Sequence, residues 1–150
     1  MAERCPTAKV VGKGELQDHE LLFRGRRHCA FATVEPKKGA SVPVLIWEIG
    51  PEDERRLDMY EGYPSHYGKS ELVVETSNGK ESIMAYVMRG GRNIGEPSSY
   101  YLETIKTGYR EAGFDVEYLL ERVSYCSEIM KKEHGHESME EPAWNQQLLQ

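Results

Sequence analysis

A chain of 150 residues, 39% apolar and 29% charged, carries enough apolar material for one hydrophobic core without disulfide staples. Its 19 basic and 25 acidic residues leave a net charge of −6, which argues against a nucleic-acid or anionic-membrane partner. No apolar run is long enough to span a bilayer. The opening Met-Ala-Glu-Arg-Cys-Pro has no signal-peptide pattern, and the scattered Cys5, Cys29 and Cys126 exclude a Cys-x-x-Cys zinc unit and fit reduced thiols in a cytoplasmic protein.

Apolar side chains at strand-like density predict strands over 8–11, 19–23 and 29–34. The segment from Val42 to Ile49 is apolar on both faces, which predicts a central strand covered from both sides. A helix follows from Pro51, with acids in its first turn, and Gly62 ends it. Glu71–Ser77 and Glu81–Met88 then flank Asn78-Gly79, the dipeptide suited to a type I′ hairpin turn. A second helix is expected from Pro97-Ser98-Ser99 to Gly113, with Tyr101, Ile105, Tyr109 and Ala112 on one stripe. A third starts after the N-cap candidate Asp115. Residues 131–150 are polar and acidic up to Leu148-Leu149 and read as a tail, so the expected domain spans 1–130. Strands first and helices later make an α+β fold, a mostly antiparallel sheet or small barrel with flanking helices.

Several motifs fail on physical grounds. The stretch from Gly62 to Ser70 has one residue too many for a phosphate loop, and a strand pattern follows where a helix should begin. No Gly-x-Ser-x-Gly elbow occurs. His134 and His136 lack a third ligand, and His28 and His66 lack partners for a nucleophile triad. Arg24, Arg26, Arg27 and His28 read as a solvated turn, because no aromatic platform is interleaved with them.

Six segments in order, over about residues 4–125, resemble the γ-glutamylcyclotransferase superfamily, which includes the AIG2-like proteins. They are the Arg4–Gly12 opening with Leu16–Phe23, Ala30–Val34, Val42–Glu48, Leu57-Asp-Met-Tyr-Glu61-Gly62, Ala85–Met88, and Tyr100–Ile105 with the late Gly-Tyr-Arg-Glu-Ala-Gly. The resemblance implies a small-molecule γ-glutamyl substrate, no metal or cofactor, and Glu61 as the acid/base. Tyr101 and, on a neighbouring strand, Tyr86 are implied as substrate-binding phenols. Cyclisation suits one carboxylate: the α-amine must lose a proton before it attacks the δ-carbonyl, and the leaving nitrogen must gain one. Tyr60, Tyr63 and Tyr67 are expected to wall this carboxylate. The family's Tyr-Gly-Ser-Asn strand-loop, whose amides hold substrate, would precede Met1, and no Tyr-Gly-Ser occurs in the 150 residues. Two functions stay open: a cyclotransferase releasing 5-oxoproline, its loop supplied upstream, or a non-catalytic binding member of the same fold.

Overall fold

A computed structural model describes residues 5–137, with side chains up to Glu133. Four strands, β1 (Lys9–Arg26), β2 (Cys29–Glu48), β3 (Tyr67–Thr76) and β4 (Gly79–Met88), form one antiparallel sheet in the order β2-β1-β3-β4. Helix α1 (Pro51–Glu61) joins the two hairpins, and α2 (Ser99–Ala112) and α3 (Val116–Glu137) follow the sheet. The fold is α+β. No helix among the described residues is long and apolar enough to cross a membrane.

The first hairpin is longer than the sequence pattern shows. The stretches read as separate strands merge into β1 and β2, paired from Lys9↔Glu48 to Arg26↔Cys29. Asp18 takes a positive φ of 56° where the register shifts between Gln17 and His19, so the alternation breaks while the ladder continues. β2 is an edge strand, contrary to the expected central position of Val42–Ile49. Only Val42 in that run is fully buried; Glu48 is exposed and the others are half-buried. The second hairpin also turns one residue earlier than expected. Thr76 pairs with Gly79 across Ser77-Asn78, and Gly79 alone takes the positive φ, 101°, which rules out a type I′ turn.

Both ends of α1 and α2, and the start of α3, fall where the sequence places them. Gly62 caps α1 at φ 67°, Ser98 accepts a hydrogen bond from the Tyr101 amide at 3.2 Å, and Asp115 accepts one from Glu117 at 3.0 Å. The α3 helix continues to Glu137, into the stretch read as tail; Met130 is buried and the following Lys-Lys-Glu extends the backbone ladder without a core face. The side chains of His134 and His136, and the Leu148-Leu149 pair, lie outside what is described.

The core gathers Leu21, Leu22 and Phe23 of β1 with Val42, Ile94, Leu119 and Cys126, and the apolar stripe of α2 packs against it. β1 meets β3 only over Gly14–Leu16, so its upper half lacks a second strand neighbour. That edge is satisfied otherwise. The Phe23 amide donates to Cys126 Sγ at 3.4 Å, Arg122 Nε donates to the Leu21 carbonyl at 2.9 Å, and Gly25 and Phe23 bond to Asn93 and Gly95 at 2.9 and 3.0 Å. The 89–95 loop is thereby fastened along β1.

Candidate active site

The left-handed cap at Gly62 ends α1 at Glu61 and turns the chain back toward the sheet. The turn contains a cis Tyr63–Pro64 bond and closes with the His66 amide donating to the Gly62 carbonyl at 2.8 Å. Glu61 is half-buried at this junction. Its negative charge is felt by three phenols, Tyr67, Tyr86 and Tyr101, each of which it helps to keep protonated. The two tyrosines inferred from sequence therefore lie in the field of the inferred carboxylate, with Tyr67 as a third.

Tyr67 and Tyr101 converge on one residue, Ala32. The Tyr67 hydroxyl donates to the Ala32 carbonyl at 3.0 Å, and the Ala32 amide donates to the Tyr101 hydroxyl at 3.2 Å. Ala32 lies mid-strand in β2, where β1 pairs on one side and leaves these groups to the phenols. Phe31 stacks edge-on against Tyr101, ring centroids 5.1 Å apart. Because Tyr101 accepts from Ala32, its own hydroxyl hydrogen remains for another acceptor. Burial pushes the Tyr101 phenol up, and more so that of Tyr67, where Tyr101 and Glu61 push in the same direction and Arg92 opposes them.

Tyr86 is placed differently. Its hydroxyl donates to Asp58 Oδ1 at 2.5 Å, one turn before Glu61 on α1. Lys69 Nζ lies 2.9 Å from the same carboxylate oxygen and 3.2 Å from Glu54. The Tyr86 hydroxyl, followed by Lys69, holds the Asp58 carboxyl below its ordinary range. The proton of Tyr86 is thus committed to locking α1 onto the sheet. Tyr63, cast from sequence as a wall, stacks over Lys69 Nζ at 4.4 Å, and Met59 and Tyr60 face solvent.

Beside this cluster lies a cavity of about 190 Å³, lined by side chains that include Leu21, Ala32, Val34, Leu72, Ile83 and Tyr86. Its lining is almost wholly apolar, and Ala32 and Tyr86 connect it to the tyrosine cluster.

Two contacts here, those of the Tyr67 hydroxyl and of Arg92, go beyond what the sequence shows. Tyr67 matters because its hydroxyl meets Ala32, 35 residues away. No local spacing reports that meeting. The sequence reading gives the 89–95 loop the far side of the pocket, where the leaving amine would sit; the contact of Arg92 with His66, 26 residues away, is not legible in it.

A family model described as gamma-glutamyl cyclotransferase, AIG2-like, matches residues 2–108. The gamma-glutamylcyclotransferase of Bos taurus is 31% identical over 124 residues, covering 77% of this chain and 65% of that protein. The Homo sapiens gamma-glutamylcyclotransferase is 28% identical over 123 residues, with the same coverage. The chain therefore spans about 65% of the length of these curated relatives. A solved structure called gamma-glutamyl cyclotransferase superposes with a TM-score of 0.72 at 24% identity, covering 87% of this chain and 89% of the other, and shares the fold. An uncharacterized Homo sapiens protein of known structure gives 0.71 at 27% identity, covering 81% and 76%.

Proposed function

We propose, from the premise that this chain belongs to the AIG2-like gamma-glutamyl cyclotransferase family, that it releases 5-oxoproline from a γ-glutamyl amine or γ-glutamyl amino acid with Glu61 as the proton carrier. The observation that carries this reading is the placement of Glu61 at the capped end of α1, half-buried and in electrostatic reach of Tyr67, Tyr86 and Tyr101.

The Glu61 carboxylate takes a proton from the substrate's α-ammonium. The freed amine attacks the δ-carbonyl carbon, a C–N bond forms within the glutamyl group, and the carbonyl electrons move to oxygen. When the carbonyl re-forms, the bond to the leaving nitrogen breaks and Glu61 returns its proton there. The second proton lost by the α-nitrogen also ends on the leaving amine. Both halves of the reaction thus use one carboxylate. Tyr101, its hydroxyl hydrogen free of Ala32, donates to a substrate oxygen, and Tyr67 holds Ala32 from the other side. Tyr86 acts through Asp58 as a positioning residue for α1. The free Cys5, Cys29 and Cys126 fit a cytoplasmic setting.

The test is 5-oxoproline release from a panel of γ-glutamyl amines and γ-glutamyl amino acids. Glu61→Gln should lower kcat by about 10²–10⁴-fold. Equal rates for the two proteins would remove Glu61 from the chemistry. The second reading, a non-catalytic binding member of the same fold, makes the opposite prediction. Ligand binding by the wild type without release of 5-oxoproline from any panel member would favour it.

A further inference from the structure

We propose that Arg92, supported by His66, is the site's carboxylate-binding cation and takes the α-carboxylate of the γ-glutamyl group. This deepens the cyclotransferase reading and rests on it.

The backbone around Arg92 is pinned from both sides. The carbonyl of Arg92 accepts from Arg24 Nη1 at 2.8 Å, and Arg24 is itself paired with Glu35. Asn93 and Gly95 bond to β1, and the Arg89 amide donates to the His66 carbonyl at 3.0 Å. Gly95 permits this approach: a Cβ there would lie 2.6 Å from the Arg26 carbonyl oxygen. The loop is a fixed platform that carries one half-buried guanidinium.

The state of that guanidinium follows from its partner. Arg92 Nη2 hydrogen-bonds His66 Nδ1. A guanidinium only donates, so in this contact Nδ1 is the acceptor. His66 therefore orients Arg92 without neutralising it. No carboxylate forms an ion pair with Arg92 among the described residues. The His66 ring packs on Gly62, directly after Glu61, with Cδ2 2.8 Å from where a Cβ would stand. The carboxylate thus stands at one end of this turn and the ring that holds the cation at the other, and the Tyr67 phenol senses both charges, with opposite sign.

A carboxylate at the end of α1, and a guanidinium bonded to the ring that packs on the very next residue, match the free end of an amino acid, whose ammonium and carboxylate share a carbon. Glu61 faces the ammonium that must lose its proton. Arg92 takes the carboxylate, and its planar fork of donors suits a two-oxygen acceptor. A carboxylate on the leaving group is the competing source of the same chemistry.

The test uses the full chain and Arg92→Gln and Arg92→Lys, with a γ-glutamyl alkylamine, which has only the α-carboxylate, and a γ-glutamyl amino acid, which has two. Arg92→Gln should raise KM about tenfold or more for both substrates, with kcat changed far less, and Arg92→Lys should recover part of the loss. A rise confined to the γ-glutamyl amino acid would move the cation to the leaving group and overturn the assignment, as would unchanged KM for both. Calorimetric binding of 5-oxoproline and of the γ-glutamyl alkylamine gives a readout independent of turnover. Should Glu61→Gln prove as active as the wild type, the cyclotransferase reading of Glu61 fails, and the binding arm still judges Arg92. Weaker binding of both probes by Arg92→Gln sustains the assignment; equal binding, or none by the wild type, sinks it.

Discussion

Gly62 does two things that no other residue could do in its place. Its φ of 67° closes α1, and its missing side chain lets the His66 ring lie against the backbone. An alanine there meets the left-handed penalty of about 1–2 kcal/mol, and its Cβ would also stand 3.2 Å from His66 Cβ. Gly79 offers the matched comparison: its φ is 101°, yet a Cβ there meets nothing within 4 Å. Both Gly62→Ala and Gly79→Ala should lower the Tm by a few degrees. Only Gly62→Ala should also lower kcat/KM, because it displaces the turn that carries Glu61 and His66. Equal kcat/KM losses in the two variants, measured as 5-oxoproline release, would deny the turn its special role.

At the scale of elements, the weak seam is the meeting of β1 and β3. Three residue pairs, Gly14↔Thr76, Glu15↔Glu75 and Leu16↔Val74, join the two hairpins. Leu16 and Val74 are buried beneath them. A Cβ at Gly14 would stand 2.4 Å from Val74 Cγ1 and 2.9 Å from the Glu75 carbonyl oxygen, and the backbone atom cannot swing aside. Gly14→Ala should therefore cost about 1–3 kcal/mol, read as a lower urea midpoint. Gly12→Ala, which meets nothing within 4 Å, should lose far less; a reversed order would show that the seam is not tight. The same elements show what a sequence can disclose. Pro51, Gly62, Ser98, Asp115 and Gly113 mark helix ends because caps are local. The length of β1 was hidden because Asp18 breaks the alternation without breaking the ladder. The edge position of β2 was hidden because an apolar run does not tell which strands lie beside it. In the site, Glu61 stood out through its motif, whereas Tyr67 and Arg92 gain their meaning from Ala32 and His66, which chain spacing does not bring near.

The whole molecule should be stable within a pH window set by its own ionisable groups. On the acid side, Asp53, Asp58 and Glu96 are held below their ordinary range, chiefly by the hydroxyls of Thr7, Tyr86 and Ser127. A carboxyl with a lowered pKa stabilises the fold above its unfolded value, and that contribution is lost as pH falls through the folded value. These three tie the N-terminal segment to α1, α1 to the sheet, and α3 to the loop before α2, so their loss loosens every junction together. On the alkaline side, burial raises the Cys126 thiol and the phenols of Tyr67, Tyr86, Tyr101, Tyr109 and Tyr118. A raised pKa works the other way: the stability is whole below the unfolded value and falls as pH climbs toward the folded one. The Tm should thus be level between about pH 5 and pH 9 and fall on both sides. Glu96→Gln should lower the plateau and flatten part of the acid limb, since Ser127 and His28 then face a neutral amide. Tyr109→Phe should flatten part of the alkaline limb, because it removes a phenol that burial alone chiefly perturbs. A Tm that rises on acidification below pH 4, or stays level to pH 11, would show that these groups do not govern the stability of the molecule.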